Sequence, residues 1–458
     1  MSVPYSKLLA NYIHGIVWSH IPDNVIETAK LFVLDYIASA LAGYKVNSIF
    51  NKAITNVYFG MGGKGESSVF FYQKKLPAPH AALLNAAFGH GADLDDGHRT
   101  AQGHPGVTVI PVALSLGEAF ELSGKDVLLS IVVGYEIFVR VAKTINPSHF
   151  NRGFHTTGTV GTLSAAAAAA KIFGLSTERI QHTLSLACLQ SGGLLEVTNS
   201  GQMAKPFHPA KAAYNGIVAA LAAREEIQGP SAIFEGDKGF LKAMCDGYNP
   251  DMLTHKLGST FELTKCYFKL YPACRHTHAA IDAALKLRDK VSYSYSDIQK
   301  IKIYTYPAAI KLTGNIYLPR TVDEAKFSLP YAVATALYKG KFTLDELDTA
   351  SSCTDSIKML VEKIEIVSDP ALENREANIR GAQVELYMDN GRVISERINL
   401  PKGDPEEPVG KEDIVIKLKY CSEGILTLSQ QQRVIDFVEN LEKKENINQL
   451  TGLLRKSS

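Results

Sequence analysis

The sequence predicts a mainly α-helical protein with a large helical domain and a smaller α+β domain. Three observations lead to this fold class. Apolar residues recur at helical spacing from Pro22 to about Thr260, alternating β-branched segments follow Lys265, and helical spacing returns from Lys411. A chain of 458 residues also exceeds the size at which single cores usually divide, so two domains are expected.

The helical domain begins with an amphipathic segment from Asn24 to Gly43, which ends at a glycine. Lys125 to Thr144 has the same pattern. Gly158 to Phe173 contains the unbroken run Ala165 to Ala170, whose small side chains favour close approach by a neighbouring helix or a second subunit. Ser176 is a capping residue for the next helix. Two more helices are predicted over 209–223 and 231–245.

The smaller domain is predicted over 266–401, and the helical domain, 1–265, is completed by 402–458. Ile298 to Tyr306 and Ile364 to Val367 alternate as strands do. Ala382 to Met388 and Val393 to Ile398 form a hairpin that turns at Asn390-Gly391. Helices are predicted between these strands, over 276–288, 324–338 and 343–361, and residues 401–408 form a linker.

Composition excludes several classes of protein. The formal net charge of +1 gives no electrostatic reason to expect a nucleic acid or an anionic membrane as partner. The six cysteines are scattered without the spacing of a zinc or redox motif, which predicts reduced thiols in a cytoplasmic protein. The N-terminus has no secretory pattern, and no apolar run is long enough to span a membrane.

The most informative segment is Gly89 to Gly106, which places a cluster of ionisable residues between two apolar segments. Burial of carboxylates and imidazoles is costly unless each finds a partner, so such a cluster indicates chemistry or a metal. The alternative is a solvated loop. The cluster consists of His90, Asp93, Asp95, Asp96, His98, Arg99 and His104.

Carboxylates and imidazoles are suitable ligands for a divalent metal. However, the segment lacks the HExxH, cysteine-pair and EF-hand spacings, so we predict no metal site. Asp95 or Asp96 could instead orient a histidine. Gly60 to Ser68 resembles a phosphate-binding loop only superficially, because it fails the Walker pattern and the following Val69 to Tyr72 is typical of a strand.

Three further segments carry candidate residues. His155 precedes a helix of small residues, whose N-terminal N–H groups favour an anion, although a lone histidine there is more often a structural cap. Lys205 directly precedes Pro206, and the rigid turn around Pro206 and Pro209 could aim it inward, whereas a lone lysine is usually solvated. Arg275, His276 and His278 open a helix at the predicted domain junction, where ligand sites are common.

Together these segments resemble the MmgE/PrpD family, which includes 2-methylcitrate dehydratase, cis-aconitate decarboxylase and iminodisuccinate epimerase. The matching motifs are D-[LF]-D-D…H-P-G at Asp93 to Gly106, G-F-H-x-T at Gly153 to Thr157, and M-x-K-x-x-H-x-x-x-A at Met203 to Ala212. Tyr271-Pro272 with the two histidines after it, and Ala325 to Tyr331, add to the resemblance.

The resemblance implies a helical domain made from both chain ends, an α+β lid, a homodimer and an active site between the domains, with no iron–sulfur cluster or organic cofactor. Gly97 departs from the family pattern, because the decarboxylases have threonine there. The matching catalytic residues are Asp93, His104, His155, Lys205 and His278. We expect the substrate to be bound by His98, Arg99, His208, Arg275 and His276, and His276 is also the second choice for the catalytic position of His278.

We therefore expect a cofactor-independent lyase that acts on a small polycarboxylate by general acid–base catalysis, with dehydration ranked before decarboxylation. His104 or His155 would serve as acid or base, Asp93 as orienter or partner base, and Lys205 with His278 as stabilisers of negative charge. The alternatives are an epimerase of an aspartate-derived dicarboxylate such as iminodisuccinate, and a metabolite-binding paralogue that has lost catalysis.

Overall fold

A computed structural model describes residues 3–198, 203–290, 294–348, 352–374 and 379–456. Helices make up most of it, which confirms the mainly α fold class. The α-helices are α1 Tyr5–Gly15, α2 Asp23–Val46, α3 Ser48–Met61, α4 Ala78–His90, α5 Gly106–Ala119, α6 Gly124–Ile145, α7 Ser148–Asn151, α8 Thr156–Ile172, α9 Thr177–Leu189, α10 Phe207–Arg224, α11 Phe240–Met244, α12 Asp251–Thr254, α13 His278–Lys290, α14 Pro307–Thr313, α15 Val322–Ala325, α16 Leu329–Lys339, α17 Asp355–Glu362, α18 Lys411–Ser422, α19 Leu428–Glu439 and α20 Asn448–Leu453.

Helix α8 lies at the centre of the helical part, and every residue from Thr156 to Ala170 is buried. It packs against α6, α5 and α10. At the crossing with α10, a Cβ on Gly216 would lie 2.4 Å from the Cβ of Ala165. The small residues therefore allow close packing of helices within the chain, and overpacking by one methyl group there would cost ~1–3 kcal/mol.

The strands form one four-stranded sheet and two short ribbons. Its strand order is β4 (Ile364–Ser368), β3 (Ile298–Thr305), β7 (Ala382–Met388) and β8 (Val393–Ile398). Strand β3 pairs with β4 in parallel and with β7 antiparallel, and β7 pairs antiparallel with β8. This confirms the predicted strands and the hairpin. Helix α13 packs on β7 and β8. The strands are β1 Ser67–Ser68, β2 Lys75–Leu76, β3 Ile298–Thr305, β4 Ile364–Ser368, β5 Glu373–Asn374, β6 Ile379–Arg380, β7 Ala382–Met388 and β8 Val393–Ile398.

The C-terminal helices return to the helical part, where α18 and α19 pack on α2. Lys417 of α18 is fully buried, and its Nζ donates to a carboxylate oxygen of Asp35 at 2.6 Å and to the carbonyl of Leu94 at 2.7 Å. The second bond connects the C-terminal helices to the polar segment after α4. The division into 1–265 with 402–458, and 266–401, stays a prediction.

Four local predictions were wrong. Residues 231–245 are mostly turns and contain only the short helix α11, because the chain folds back on itself at Gly236 and Gly239. The predicted helix 324–338 is divided, since Ser328 caps α16. The helix predicted over 343–361 is replaced by a 3-10 turn at Leu344–Leu347 and by α17, and residues 349–351 lie outside the described residues. Val69 to Tyr72 is a turn between two short strands.

Among the described residues, no helix has the length and apolarity needed to cross a membrane.

Candidate active site

The segment after α4 is buried, as the apolar sequence on both sides of it predicts, and Asp93 has an unusual backbone within it. Its φ of +52° lies in the left-handed region, which costs a residue with a side chain on the order of 1–3 kcal/mol. The Nζ of Lys269 donates to the Asp93 carbonyl at 2.9 Å and to its carboxylate at 3.1 Å. Lys269 thus fixes both the backbone and the side chain of Asp93.

A second lysine completes this group. The Nζ of Lys205, just before α10, donates to the same oxygen Oδ1 of Asp93 at 2.8 Å. Burial raises the pKa of Asp93, but the ammonium groups of Lys205 and Lys269 outweigh it and hold the pKa well below its usual value. Asp93 is therefore ionised at neutral pH, and its charge offsets the cost of burying two cations.

Asp95 and Asp96 orient two histidines. Nδ1 of His90 donates to the carboxylate of Asp95 at 2.8 Å, and Nδ1 of His104 donates to the carbonyl of Asp96 at 2.7 Å. These bonds place the ring hydrogen of each neutral histidine on Nδ1, so each Nε2 has a free lone pair. Burial lowers the pKa of His104 to about 3, although Asp95 opposes the shift.

His155 lies beside this pair at the start of α8. Its ring centroid is 6.5 Å from that of His104 and 6.0 Å from that of His90. Nδ1 of His155 lies 2.8 Å from Nδ1 of His208, so one of the two nitrogens carries the hydrogen that they share. Burial lowers the pKa of His155 well below its usual value, and nearby His208 and Lys205 lower it further. The site therefore contains several neutral imidazoles beside cationic lysines.

One group of residues has the donor atoms of a metal site. Ligand atoms of His90, Asp95 and His104 all lie within 4.8 Å of one another. Nδ1 of each histidine is already engaged in a short hydrogen bond, as described above. A metal ion on these nitrogens would displace the ring hydrogens and break both bonds, whereas each Nε2 lone pair stays free. The expectation that this site holds no metal therefore stays a prediction.

A cavity of about 510 Å³ is lined by residues of the helical part, among them Asp93, His104 and His155, and by residues from 267–380. On the α+β side, His276, Arg275 and Arg380 face it. Nδ1 of His276 lies 2.7 Å from the Tyr306 hydroxyl, and its Nε2 lies 3.0 Å from Nη2 of Arg380. Of the residues predicted from sequence, the cavity lining includes Asp93, His98, Arg99, His104, His155, Lys205, Arg275 and His276.

Two predicted residues do not line the cavity. His208 lies behind His155 and contacts it through Nδ1. His278 is the first residue of α13; its Nε2 lies 3.2 Å from the Ala273 carbonyl and its Nδ1 lies 3.1 Å from Nη1 of Arg275. His276 precedes it by two residues on a 3-10 turn and lines the cavity instead.

The two predicted arginines already have acidic partners. Arg275 donates to the carboxylate of Asp404 at 2.7 Å and to three backbone carbonyls. These bonds connect Phe268 to residues 401–404 of the linker. Arg99 forms ion pairs with Glu406 and, at 3.6 Å, with Asp404. Both guanidinium groups therefore fix the linker against the cavity wall, and neither presents an unneutralised charge.

Two family models match this chain. One is the MmgE/PrpD N-terminal domain, over residues 7–253, and the other is the MmgE/PrpD C-terminal domain, over residues 271–443. The chain belongs to the MmgE/PrpD family. This confirms the resemblance inferred from the motifs.

Individual relatives agree with the family. The chain is 29% identical to the cis-aconitate decarboxylase of Homo sapiens over 464 residues, which cover 98% of this chain and 94% of that protein. It is 26% identical to a cis-aconitate decarboxylase-like protein, oryM, of Aspergillus oryzae, with 97% and 96% covered. A mitochondrial 2-methylcitrate dehydratase of Yarrowia lipolytica is 23% identical, with 86% and 79% covered.

In this MmgE/PrpD chain, the polar residues of the cavity wall that sequence reasoning did not single out include Lys269, Tyr267 and Arg380. Lys269 lies next to the Tyr271-Pro272 motif and could have been noted as a second cation there. Neither Tyr267 nor Arg380 lies in a segment that the sequence analysis singled out. Arg380 belongs to a two-residue strand that is too short for a periodic pattern.

Proposed function

We propose that this chain is a cofactor-independent lyase that acts on a small polycarboxylate in the cavity lined by Asp93, His104 and Lys205. The observation that carries the proposal is the grouping of Lys205 and Lys269 on Asp93, beside oriented neutral imidazoles. Cations that face a cavity attract carboxylates, and each charge-assisted hydrogen bond contributes roughly 1.5–3 kcal/mol when desolvated.

Both lyase reactions of the relatives pose the same chemical problem. In decarboxylation, the bond from carbon to a carboxylate breaks, CO2 leaves, and the electron pair left on carbon takes a proton. In dehydration, a base removes a proton next to a carboxylate and hydroxide leaves with a proton from an acid. Each route develops negative charge beside a carboxylate and needs an oriented proton donor or acceptor and nearby cations.

The geometry supports an assignment of roles. His104 exchanges the proton, because the Asp96 carbonyl fixes its Nδ1–H and leaves Nε2 for the substrate. His155 is the second acid–base group on the same wall. Lys205 binds a carboxylate and stabilises the developing charge, and Asp93 with Lys269 holds Lys205 in place.

Decarboxylation now ranks before dehydration. The relatives named as cis-aconitate decarboxylases are more similar to this chain and cover more of it than the dehydratase does. The epimerase and the inactive paralogue remain as alternatives without a specific observation in their favour. The proposal also includes a homodimer in the cytoplasm, which rests on the family resemblance and the sequence.

Product analysis tests the reaction. The purified protein is incubated separately in D2O with cis-aconitate, citrate, 2-methylcitrate and iminodisuccinate, and the products are followed by NMR. We expect loss of CO2 from cis-aconitate with deuterium incorporated at carbon. Exchange of deuterium without net conversion would favour the epimerase. No conversion or exchange with any of the four would contradict the proposed lyase.

Variants test the site. Lys205→Ala should abolish turnover while the melting temperature stays within a few degrees of the wild type, and Lys242→Ala, on an exposed surface, is the matched control. Near-normal activity of the Lys205 variant would exclude its role. Dialysis against a chelator is expected to leave activity intact, whereas loss that zinc restores would support a metal on His90, Asp95 and His104.

A further inference from the structure

Three side chains on the α+β side of the cavity form a hydrogen-bonded group, which we call the Arg380 cluster: His276, Tyr306 and Arg380. Nε of Arg380 donates to the Tyr306 hydroxyl at 3.0 Å, and Nη2 of Arg380 lies 3.0 Å from Nε2 of His276. The Tyr306 hydroxyl also lies 2.7 Å from Nδ1 of His276. Each member therefore contacts the other two.

The direction of these bonds follows from the donors. Arginine can only donate, so Nε2 of His276 accepts from Arg380 and the ring hydrogen of His276 is on Nδ1. The Tyr306 oxygen then accepts from both Nδ1 of His276 and Nε of Arg380. Both nitrogens of His276 are thus occupied, which makes this residue a support for the guanidinium and not a proton acceptor for substrate.

Toward the residues that the structure describes, the guanidinium keeps free donors. An arginine has five N–H groups in a planar fork, and the cluster uses two of them. The others include both N–H groups of Nη1 and one of Nη2. A parallel pair from Nη1 and Nη2 matches the two oxygens of a carboxylate.

The charge of Arg380 also distinguishes it from the other cations of the cavity wall. Lys205 and Lys269 share Asp93, Arg275 pairs with Asp404, and Arg99 pairs with Glu406. Within residues 3–198, 203–290, 294–348, 352–374 and 379–456, no carboxylate lies within 4.0 Å of the Arg380 nitrogens.

An acidic partner is nevertheless close in the fold. Glu373 of β5 lies directly opposite Arg380 of β6 in the register of this ribbon. Side chains at opposed positions normally interact across the strands. The Arg380 guanidinium instead turns to two neutral groups, His276 and Tyr306, and faces the cavity. A half-buried cation held by neutral partners is ready to take an anion from the cavity.

We propose that Arg380 binds a second carboxylate of the substrate through a bidentate pair of hydrogen bonds, with His276 and Tyr306 as positioning residues. The inference rests on the proposed function and adds a specificity to it: the enzyme prefers acids with a further carboxylate beyond the one that Lys205 binds. Lys205 and Arg380 line the same cavity from different elements, Lys205 from the segment before α10 and Arg380 from β6. A substrate with carboxylates at both sites therefore connects these two elements.

Calorimetric binding of three unreactive acids tests this. Tricarballylate has three carboxylates, glutarate lacks the central one, and methylsuccinate lacks a terminal one. We expect Arg380→Gln to weaken tricarballylate binding about 10- to 100-fold and to weaken the binding of at least one dicarboxylate less than about 3-fold. The tricarballylate affinity of Arg380→Lys should lie between those of the wild type and Arg380→Gln. Arg392→Gln, an exposed arginine in the hairpin turn, is the control and should bind all three as the wild type does.

The outcomes separate the two proposals. If the wild type binds tricarballylate and Arg380→Gln or Arg380→Lys binds it equally well, the Arg380 inference is wrong and the proposed function stands. If the wild type binds none of the three acids, both are overturned. Melting curves of the two Arg380 variants and the control show whether each has folded, and Arg380→Lys retains the charge if the glutamine variant does not fold.

The positioning role has its own readout. Tyr306→Phe removes the oxygen that accepts from Arg380, so KM should rise about 3- to 10-fold while kcat stays unchanged. A fall in kcat at constant KM would contradict a positioning role for the cluster.

Discussion

The phenol oxygen of Tyr267 occupies the space where a side chain at position 97 would begin. An ideal Cβ on Gly97 would lie 2.4 Å from Oη and 2.6 Å from Cζ of Tyr267. The two residues also exchange backbone hydrogen bonds, at 3.1 Å and 2.7 Å. Tyr267 therefore leaves no room for a side chain at position 97. The wall of the cavity beside residue 97 is formed by a phenol ring from another segment.

Gly97→Ala should displace the Tyr267 ring and destabilise the fold by ~1–3 kcal/mol, since the backbone bonds hold both residues in place. The free energy of unfolding in urea measures this. In a Tyr267→Ala background, the same substitution should cost less than about 1 kcal/mol, because the clash is gone. Equal costs in the two backgrounds would show that the ring moves freely.

Ligand binding should take up a proton at His104. Burial lowers the pKa of His104 to about 3, Asp95 opposes this shift, and Lys269, His90 and Lys205 add to it. A polycarboxylate in the cavity brings negative charge that raises this pKa again. Calorimetry of tricarballylate binding near neutral pH, in buffers of different ionisation enthalpy, should show net proton uptake. His104→Asn should lose it and the exposed His20→Asn should keep it; unchanged uptake in the His104 variant would contradict the assignment.

Acid should weaken the fold partly through His98. Burial lowers the pKa of His98 to about 3, against the opposing effect of Glu262. Between about pH 6.5 and that value the unfolded chain binds the proton and the folded chain does not, so stability falls as the pH falls. In His98→Asn, the slope of unfolding free energy against pH should be smaller by up to ~1.4 kcal/mol per pH unit in this window. Urea unfolding at several pH values measures it, and an unchanged slope would assign the acid sensitivity elsewhere.

Lys417→Met should be strongly destabilising, because it leaves Asp35 and the Leu94 carbonyl buried without their cation. Breaking a buried pair by removing one partner costs ~3–5 kcal/mol. Burial already raises the pKa of Asp35 to about 6, although Lys417 opposes this shift. The double variant Asp35→Asn, Lys417→Met should recover part of the loss in urea unfolding. A double variant no more stable than Lys417→Met would mean that the carbonyl bond dominates.

Apolar periodicity was sufficient to predict most helices and the four longer strands, because it repeats along the chain. The apolar sequence on both sides of the polar segment was sufficient to predict that this segment is buried. Periodicity could not decide between His276 and His278, because both lie near the start of one helix. Only the 3-10 turn determines which of them faces the cavity. Arg380 was missed because its role depends on Tyr306 and His276, which are distant in sequence. Residues that act through tertiary contacts leave no local pattern.

The bond from Lys417 to Leu94 also has a consequence for the order of events during synthesis. Every residue that lines the cavity precedes Lys417 in the chain, so all of them leave the ribosome before it does. Until α18 emerges and docks on α2, the Leu94 carbonyl, next to Asp93, has no ammonium partner. A nascent chain halted before residue 411 would therefore already contain the residues that line the cavity. The segment around Leu94 would still lack the hydrogen bond from Lys417 and the packing of the C-terminal helices.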